Sequence, residues 1–380
     1  MTSAQAIAFR LRHRWPGAVL AAGMFLQSGG AVAMAADWPM LGGNVAHSFR
    51  SGGVVSPKPE KIWEVSVGGA VYGSPVVRKD VLYVAGHDQH LSALDVGSGR
   101  ILWRSAVGGA VSATPAVAND TVVVASKDGA VTALDGRTGE RKWQVKTGAK
   151  VLSSPVIDEG TVYVGSNDLF LYALELASGK LLWRYYARDY KYGGLYTSPA
   201  ADRERVYVGA KNGILHAVWR DTGRPAWQAE LGSSLYGAPL VAGKTLYVGA
   251  YDRRVYALNA ANGEVLWRAE LDDWPQGTPV QVGDILCVAT RSGVIYGLRA
   301  ADGGLAWQLP LGEPLRHSPT VGRNNLALIG TLGGRLLVMD VPGHKIVGER
   351  PVDGGVFGAP AVAGSGLFVA TLGGKVSAWR

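Results

Sequence analysis

Residues 93–103 read Ala93-Leu94-Asp95-Val96-Gly97-Ser98-Gly99-Arg100-Ile101-Leu102-Trp103, and the return of this phrase decides the fold. Copies stand at 133–143 (ALDGRTGERKW), 173–183 (ALELASGKLLW), 217–227 (AVWRDTGRPAW), 257–267 (ALNAANGEVLW) and 297–307 (GLRAADGGLAW). The tryptophans that close them, with Trp63 ahead, lie 40 residues apart, save one step of 44 between Trp183 and Trp227; Val347 takes the next place. Between each Trp and the next phrase a small residue precedes a proline: Ser74-Pro75, Thr114-Pro115, Ser154-Pro155, Ser198-Pro199, Ala238-Pro239, Thr278-Pro279, Ser318-Pro319 and Ala359-Pro360. A β-rich run such as Val81-Leu82-Tyr83-Val84 follows. Each cycle therefore reads as four short strands: A after the proline, B the β-rich run, C ending at the Ala-Leu pair, and D carrying the Trp. Four-stranded units at a period near 40 residues indicate a β-propeller.

The chain ends set the blade count. Complete A–D sets begin at Pro75, Pro115, Pro155, Pro199, Pro239, Pro279 and Pro319, whereas the set from Pro360 stops after strand C at Ala378-Trp379-Arg380. The missing outer strand is at the other end, where Lys61-Ile62-Trp63-Glu64-Val65 has strand D character and no A–C before it. Pairing the two removes two raw sheet edges. The expectation is an all-β, eight-bladed propeller over residues 61–380, closed by the N-terminal strand, with Trp63 near Ala378. Glycine, 53 of 380 residues, is about twice its ordinary share of roughly 7 %. It falls in the turns, where Asp128-Gly129 and Asn212-Gly213 mark B–C hairpins that want positive φ.

The first 35 residues read as a signal peptide: Arg10, Arg12 and Arg14, an apolar stretch from Gly17 to Leu26, then a small-x-small site at Ala33-Met34-Ala35. Residues 36–60 are an N-terminal extension. The remaining apolar runs fall short of the ~20 residues a spanning helix needs, so no transmembrane span is expected. The protein is expected to be periplasmic or secreted, and a monomer outside complexes. Loss of the leader's three Arg, with no acid among its residues, lowers the formal charge from +8 to +5. That is too small for a nucleic-acid footprint. The single Cys, Cys287, excludes an intramolecular disulfide and multi-cysteine metal sites, and its apolar surroundings indicate an inert buried thiol.

The phrase A-x-D-x-x-[ST]-G-x-x-x-W resembles the tryptophan-docking motif of pyrroloquinoline-quinone-type propellers, over roughly residues 37–380. In that family the Trp of one blade packs on the Ala region of its neighbour. A WD40 propeller does not fit, since no Trp-Asp dipeptide occurs. Two branches are similar. The opening Asp37-Trp38-Pro39 with Gly42-Gly43-Asn44 resembles quinoprotein dehydrogenases. The mature length, the lack of large insertions and the run from Gly373 to Arg380 look more like the outer-membrane protein assembly factors, which are non-catalytic scaffolds. The first branch implies adjacent cysteines capping the quinone and a Ca²⁺ held by Glu, Asn and Asp; one Cys and no evident acidic cluster depart from that. The second implies a lipidated Cys where Ala36 stands, so this chain is not read as a lipoprotein. It also implies a Leu-Arg pair where Leu195-Tyr196-Thr197-Ser198 stands, and an acidic pair absent from Gly232-Ser233-Ser234-Leu235-Tyr236. The resemblance implies a non-catalytic envelope scaffold whose protein partner belongs to outer-membrane assembly. No cofactor is expected, with pyrroloquinoline quinone, in a minimal oxidoreductase, left open as the alternative.

Positions that vary between near-identical blades are the candidates for recognition. D–A loops and B–C turns share one propeller face. Three residues before each proline stand Tyr72, Ser112, Leu152, Tyr196, Tyr236, Gln276, Arg316 and Phe357. Aromatics and Arg in this ring suit a partner surface, although the rings would also serve to pack neighbouring blades together. His317 occupies the next position, which is small in the other blades, and with no carboxylate or Ser partner in sight it gives no catalytic constellation. At matching places in the B–C turns, His87, Lys127, Lys211 and Arg291 form a basic rim. The 44-residue step lengthens the loop after Trp183, and Arg188, Tyr190, Lys191 and Tyr192 are its contact candidates.

Overall fold

A computed structural model describes residues 37–188 and 194–380. The signal-peptide reading, with Ala33-Met34-Ala35, lies outside the described residues, and so do Tyr190, Lys191 and Tyr192. The described residues form eight four-stranded antiparallel sheets. In blade one the strands are A Val76–Arg78, B Val81–Ala85, C His90–Asp95 and D Ile101–Ala106. Blades two to seven repeat that order, and in blade eight Lys61–Ser66 supplies strand D beside Lys375–Trp379. Trp63 stands opposite Ala378, and Glu60 and Arg380 exchange backbone bonds of 2.8 and 2.9 Å. Closure joins the two chain ends as expected. No helix among the described residues is long and apolar enough to cross a membrane.

Strands B and C are buried on both faces, so their side chains form the packed layers between blades, whereas strand D alternates exposed and half-buried. The repeated Trp locks six of the eight seams between blades, the seam between blades seven and eight having Val347 in its place. Trp103 Nε1 donates to the Gly136 carbonyl at 3.0 Å, and Trp63, Trp143, Trp183, Trp227 and Trp267 do the same to Val96, Leu176, Arg220, Ala260 and Ala300. The ring lies flat on the glycine that ends the neighbour's C–D turn. At Gly99, φ is 72° and a Cβ would sit 2.6 Å from the Trp63 ring, so both conformation and contact require glycine there. The seam between blades six and seven breaks the rule: Trp307 stacks on His344 at 4.8 Å and its buried Nε1 has no partner among the described residues.

The small residue before each proline builds a ring around the axis. Ser74 N–H donates to Thr114 Oγ1, Thr114 N–H to Ser154 Oγ and Ser154 N–H to Ser198 Oγ, at 2.8–2.9 Å; Thr278 N–H donates to Ser318 Oγ at 2.7 Å. Ala238 and Ala359 carry no hydroxyl and interrupt it. Blade six also departs at its first strand, which runs Pro275–Val282 with an irregularity before Val280. Its proline therefore lies inside the strand and not at its head.

Strand A is each blade's inner edge, with backbone groups facing the channel and needing partners. The segment from Trp38 to Val55 supplies them. Trp38 and Val77 exchange two bonds of 2.8 Å, and Val117, Ala201, Val241 and Val321 donate to the carbonyls of Pro39, Val45, Ala46 and Phe49. Trp38, Met40, His47, Phe49 and Val55 are buried. The stretch before Lys61 is thus an inner belt that plugs the channel from one end, with Leu41 and Phe49 facing the cavity left at the other.

Candidate partner-binding mouth

In all eight blades the B–C turn is tied to the D–A loop. The backbone N–H of His87, Lys127, Asn167, Lys211, Tyr251, Arg291, Leu332 and Leu372 donates to Ala70, Ala110, Lys150, Gly194, Ser234, Trp274, Pro314 and Gly355 carbonyls. These ties hold the recognition candidates on a common rigid rim. The expected positive φ is present in these turns, 86° at Gly129 and 87° at Gly213, and in 126–129 Asp128 Oδ1 accepts from Ala130 N–H at 3.3 Å. At the matching place in other blades Gln89, Leu169 and Arg253 occupy the left-handed conformation without being glycine.

The candidate side chains gather into two clusters. In the first, Tyr72 stacks on His87 with ring centroids 4.1 Å apart, Phe357 meets it edge-on at 5.0 Å, and Lys127 lies over it at 5.9 Å. His87 Nε2 is 2.8 Å from Ser112 Oγ. Burial and the nearby Lys127 ammonium lower the His87 pKa. The second cluster spans blades four to six. Lys211 lies over Tyr196 at 5.7 Å; Tyr196 meets Tyr236 at 5.6 Å; Tyr236 stacks on Tyr251 at 4.4 Å. Tyr251 stacks on Trp274 at 5.1 Å and 6° between planes, and Arg291 covers Trp274 at 5.0 Å. The rings do pack across blade boundaries, yet Tyr236 remains 39 % exposed. Trp274 escapes a reading of the sequence because it stands outside the 40-residue comb. The available signal was an aromatic directly before Pro275 in the one D–A loop with two acids, Asp272 and Asp273. Arg188 is exposed beyond strand D of blade three and joins neither cluster.

Between the clusters lies a cavity of about 460 Å³, walled by the hydroxyl ring and by Tyr72, Tyr236, Tyr251 and Phe357. Among the described residues its charged lining is Arg291 and Arg316, with no carboxylate. His317 is 6 % exposed and also faces it. Its Nδ1 lies 2.7 Å from the Ser318 carbonyl, which can only accept, so the proton sits on Nδ1. Nε2 is left a buried acceptor without a partner among the described residues. Burial lowers the His317 pKa to about 4, with the Ser318 and Gly330 carbonyls opposing.

A Ca²⁺-bound pyrroloquinoline quinone does not fit these residues. A hard cation needs several converging oxygen ligands, and no group of three or more His, Cys, Asp or Glu is placed to hold a metal among the described residues. Cys287 is 2 % exposed in the core, its thiol pushed up to about 12 by burial, too deep to cap a ligand in the cavity.

Fold and repeat define a PQQ-repeat eight-bladed propeller. The family model described as outer membrane protein assembly factor BamB matches residues 51–192 and 190–380, and the chain belongs to that family. Among solved structures it is similar to BamB from Moraxella catarrhalis, at 18 % identity and TM-score 0.72, over 85 % of this chain and 99 % of that one. It is also similar to a europium-containing methanol dehydrogenase (16 %, TM-score 0.75, 88 % and 89 %). A quinohemoprotein alcohol dehydrogenase from Comamonas testosteroni is a further neighbour (15 %, TM-score 0.77, 90 % and 80 %). At such identities these likenesses establish the fold alone. No curated protein matches the chain.

Proposed function

We propose that this chain is an exported, non-catalytic scaffold of the cell envelope that binds a protein partner at the loop face, in the manner of an outer-membrane assembly factor. One observation carries the reading: two aromatic–cation clusters, each held by backbone ties, flank a single open mouth. Rigid aromatic and Arg anchors on a pre-organised rim are the composition of interaction hot spots. The leader-like first 35 residues support export, and family membership supports an envelope partner. The lengthened loop with Arg188, Tyr190, Lys191 and Tyr192 is a further contact on the same reading. The test is capture of partners from an envelope extract by the tagged mature chain, compared with Tyr236→Ala plus Trp274→Ala. Truncating two central anchors is expected to lower capture at least tenfold; unchanged capture of every partner overturns the mouth as the docking site.

A small-molecule site in the same cavity is the second reading, favoured by the unpartnered His317 Nε2. Its probe is pyrroloquinoline quinone, with and without Ca²⁺. A ligand present at a hundred times its Kd stabilises by about 2.7 kcal/mol, so an unmoved melting temperature removes this reading.

A further inference from the structure

We infer that the mouth receives an acidic, aromatic-bearing extended polypeptide segment, and that Arg291, Arg316 and His317 read it. The inference rests on the scaffold reading above and names the chemistry of its partner. Charge supplies the first argument. Lys127, Lys211, Arg291 and Arg316 surround the opening, none forms an ion pair with a described residue, and no carboxylate of a described residue lines the cavity. Elsewhere on the same face, cations such as Lys146 and Arg254 are paired with Asp128 and Asp252. Three of the four mouth cations are instead held over aromatic rings, Lys127 on Tyr72, Lys211 on Tyr196 and Arg291 on Trp274. Such a contact leaves the charge uncancelled while restricting the side chain. A row of fixed, uncompensated cations raises the local concentration of an anionic partner and selects against a cationic one.

Shape supplies the second argument. The ladder Lys211–Tyr196–Tyr236–Tyr251–Trp274–Arg291 crosses three blades along the cavity edge, which it lines through Tyr236, Tyr251 and Arg291. It is therefore laid out for a chain that runs along it, with side-chain rings set against Tyr236 and Trp274 and carboxylates against Lys211 and Arg291. His317 adds a requirement for a hydrogen-bond donor. Its Nε2 is an acceptor buried in the cavity wall, and a buried acceptor without a donor is costly. An anion offers no proton to it, whereas a peptide N–H or a side-chain hydroxyl does. Arg316, the preceding residue, presents a guanidinium to the same cavity, its Nη1 also donating to the Leu315 carbonyl at 3.2 Å. A carboxylate beside an amide N–H is what these two neighbours accept together, and an acidic peptide segment carries both.

The test uses the mature chain and a fluorescein-labelled random copolymer of glutamate and tyrosine, read by anisotropy at two salt concentrations. Poly-lysine, polygalacturonate and phosphatidylglycerol vesicles serve as competitors. Binding of the copolymer that weakens with salt is expected, with at least tenfold loss for Arg291→Gln plus Arg316→Gln and a three- to tenfold loss for His317→Asn. Poly-glutamate is expected to bind more weakly than the copolymer, and Tyr236→Ala plus Trp274→Ala to abolish that difference. Melting curves check that each variant is folded; should His317→Asn fail to fold, His317→Gln takes its place. No binding of the copolymer, binding that ignores the Arg substitutions, or preferential displacement by polygalacturonate or vesicles overturns the inference. Envelope capture with the same Arg variants separates the two readings. A partner that is still captured and still lost on Tyr236→Ala plus Trp274→Ala leaves the scaffold standing without the acidic segment.

Discussion

Acidification from pH 7 to pH 4.5 is expected to destabilise this propeller by about 5 kcal/mol, through His47 and His317. Each is fully buried, and burial lowers each pKa from 6.5 to about 4. His47 lies in the inner belt, where the Pro239 carbonyl opposes the burial only in part, and His317 is opposed likewise by the Ser318 and Gly330 carbonyls. The folded state therefore holds both imidazoles neutral, while the unfolded chain protonates them below pH 6.5. Between pH 6.5 and 4 the unfolded state binds more protons, so stability is full above 6.5, falls as pH falls through this window, and levels off below 4. A depression of 2.5 units corresponds to roughly 3 kcal/mol per histidine, of which about 2.5 is lost by pH 4.5. Two such losses are comparable with the 5–15 kcal/mol of a typical fold. Urea unfolding at pH 7.5, 6.5, 5.5 and 4.5 measures the effect. The control is His47→Asn plus His317→Asn: asparagine tolerates the φ of 53° at position 47, keeps an N–H for the Ser318 carbonyl and does not titrate. The double variant is expected to lose most of the slope between pH 6.5 and 4.5. A wild-type loss under 1 kcal/mol, or a double variant with an undiminished slope, would refute the reasoning.

Two further predictions address the axis. Thr114→Val keeps the shape but leaves the buried Ser74 N–H without its acceptor, and is expected to cost about 1–3 kcal/mol in urea unfolding; Ala359→Ser, which places a hydroxyl at an interruption of the ring, is expected to be neutral or stabilising. Trp38→Ala removes the largest buried side chain of the inner belt and is expected to cost about 3–5 kcal/mol, together with faster proteolysis of residues 37–60.

What could be read from the sequence follows from where each function resides in the covalent structure. The blade count, the closure of Lys61–Ser66 on Lys375–Trp379 and the docking tryptophans depend on side chains that repeat, so a comb of 40 residues exposes them. The Trp contact proved to be with the glycine of the neighbouring C–D turn and a carbonyl beside it. The inner belt is invisible to such a comb. Its bonds to strand A run through the carbonyls of Pro39, Val45, Ala46 and Phe49, and a carbonyl has no residue signature. Trp274 was missed for the complementary reason: it has a signature but no period. The positive φ of the hairpin turns was legible where Gly129 and Gly213 mark it, but not at Leu169 and Arg253, which take up the left-handed region in turns held by the same tertiary tie as Lys127 N–H to the Ala110 carbonyl.

The same distinction bears on function. A propeller repeats its blades to close a ring, and a recognition surface must break that repetition to address one partner. Here the breaks are concentrated on one face. The hydroxyl ring lapses at Ala238, next to Tyr236, and at Ala359, next to Phe357. His317 replaces a small residue, and blade six, whose first strand is irregular, carries Trp274 in the D–A loop before it and Arg291 in its B–C turn. The frame beneath them is regular: every blade ties its B–C turn to its D–A loop. Departures on a regular frame are ordered before any partner arrives, which lowers the entropic cost of binding. The mouth is therefore where substitutions that leave the fold intact should change what the protein binds, and Arg291, Arg316 and Trp274 are the positions at which to look first.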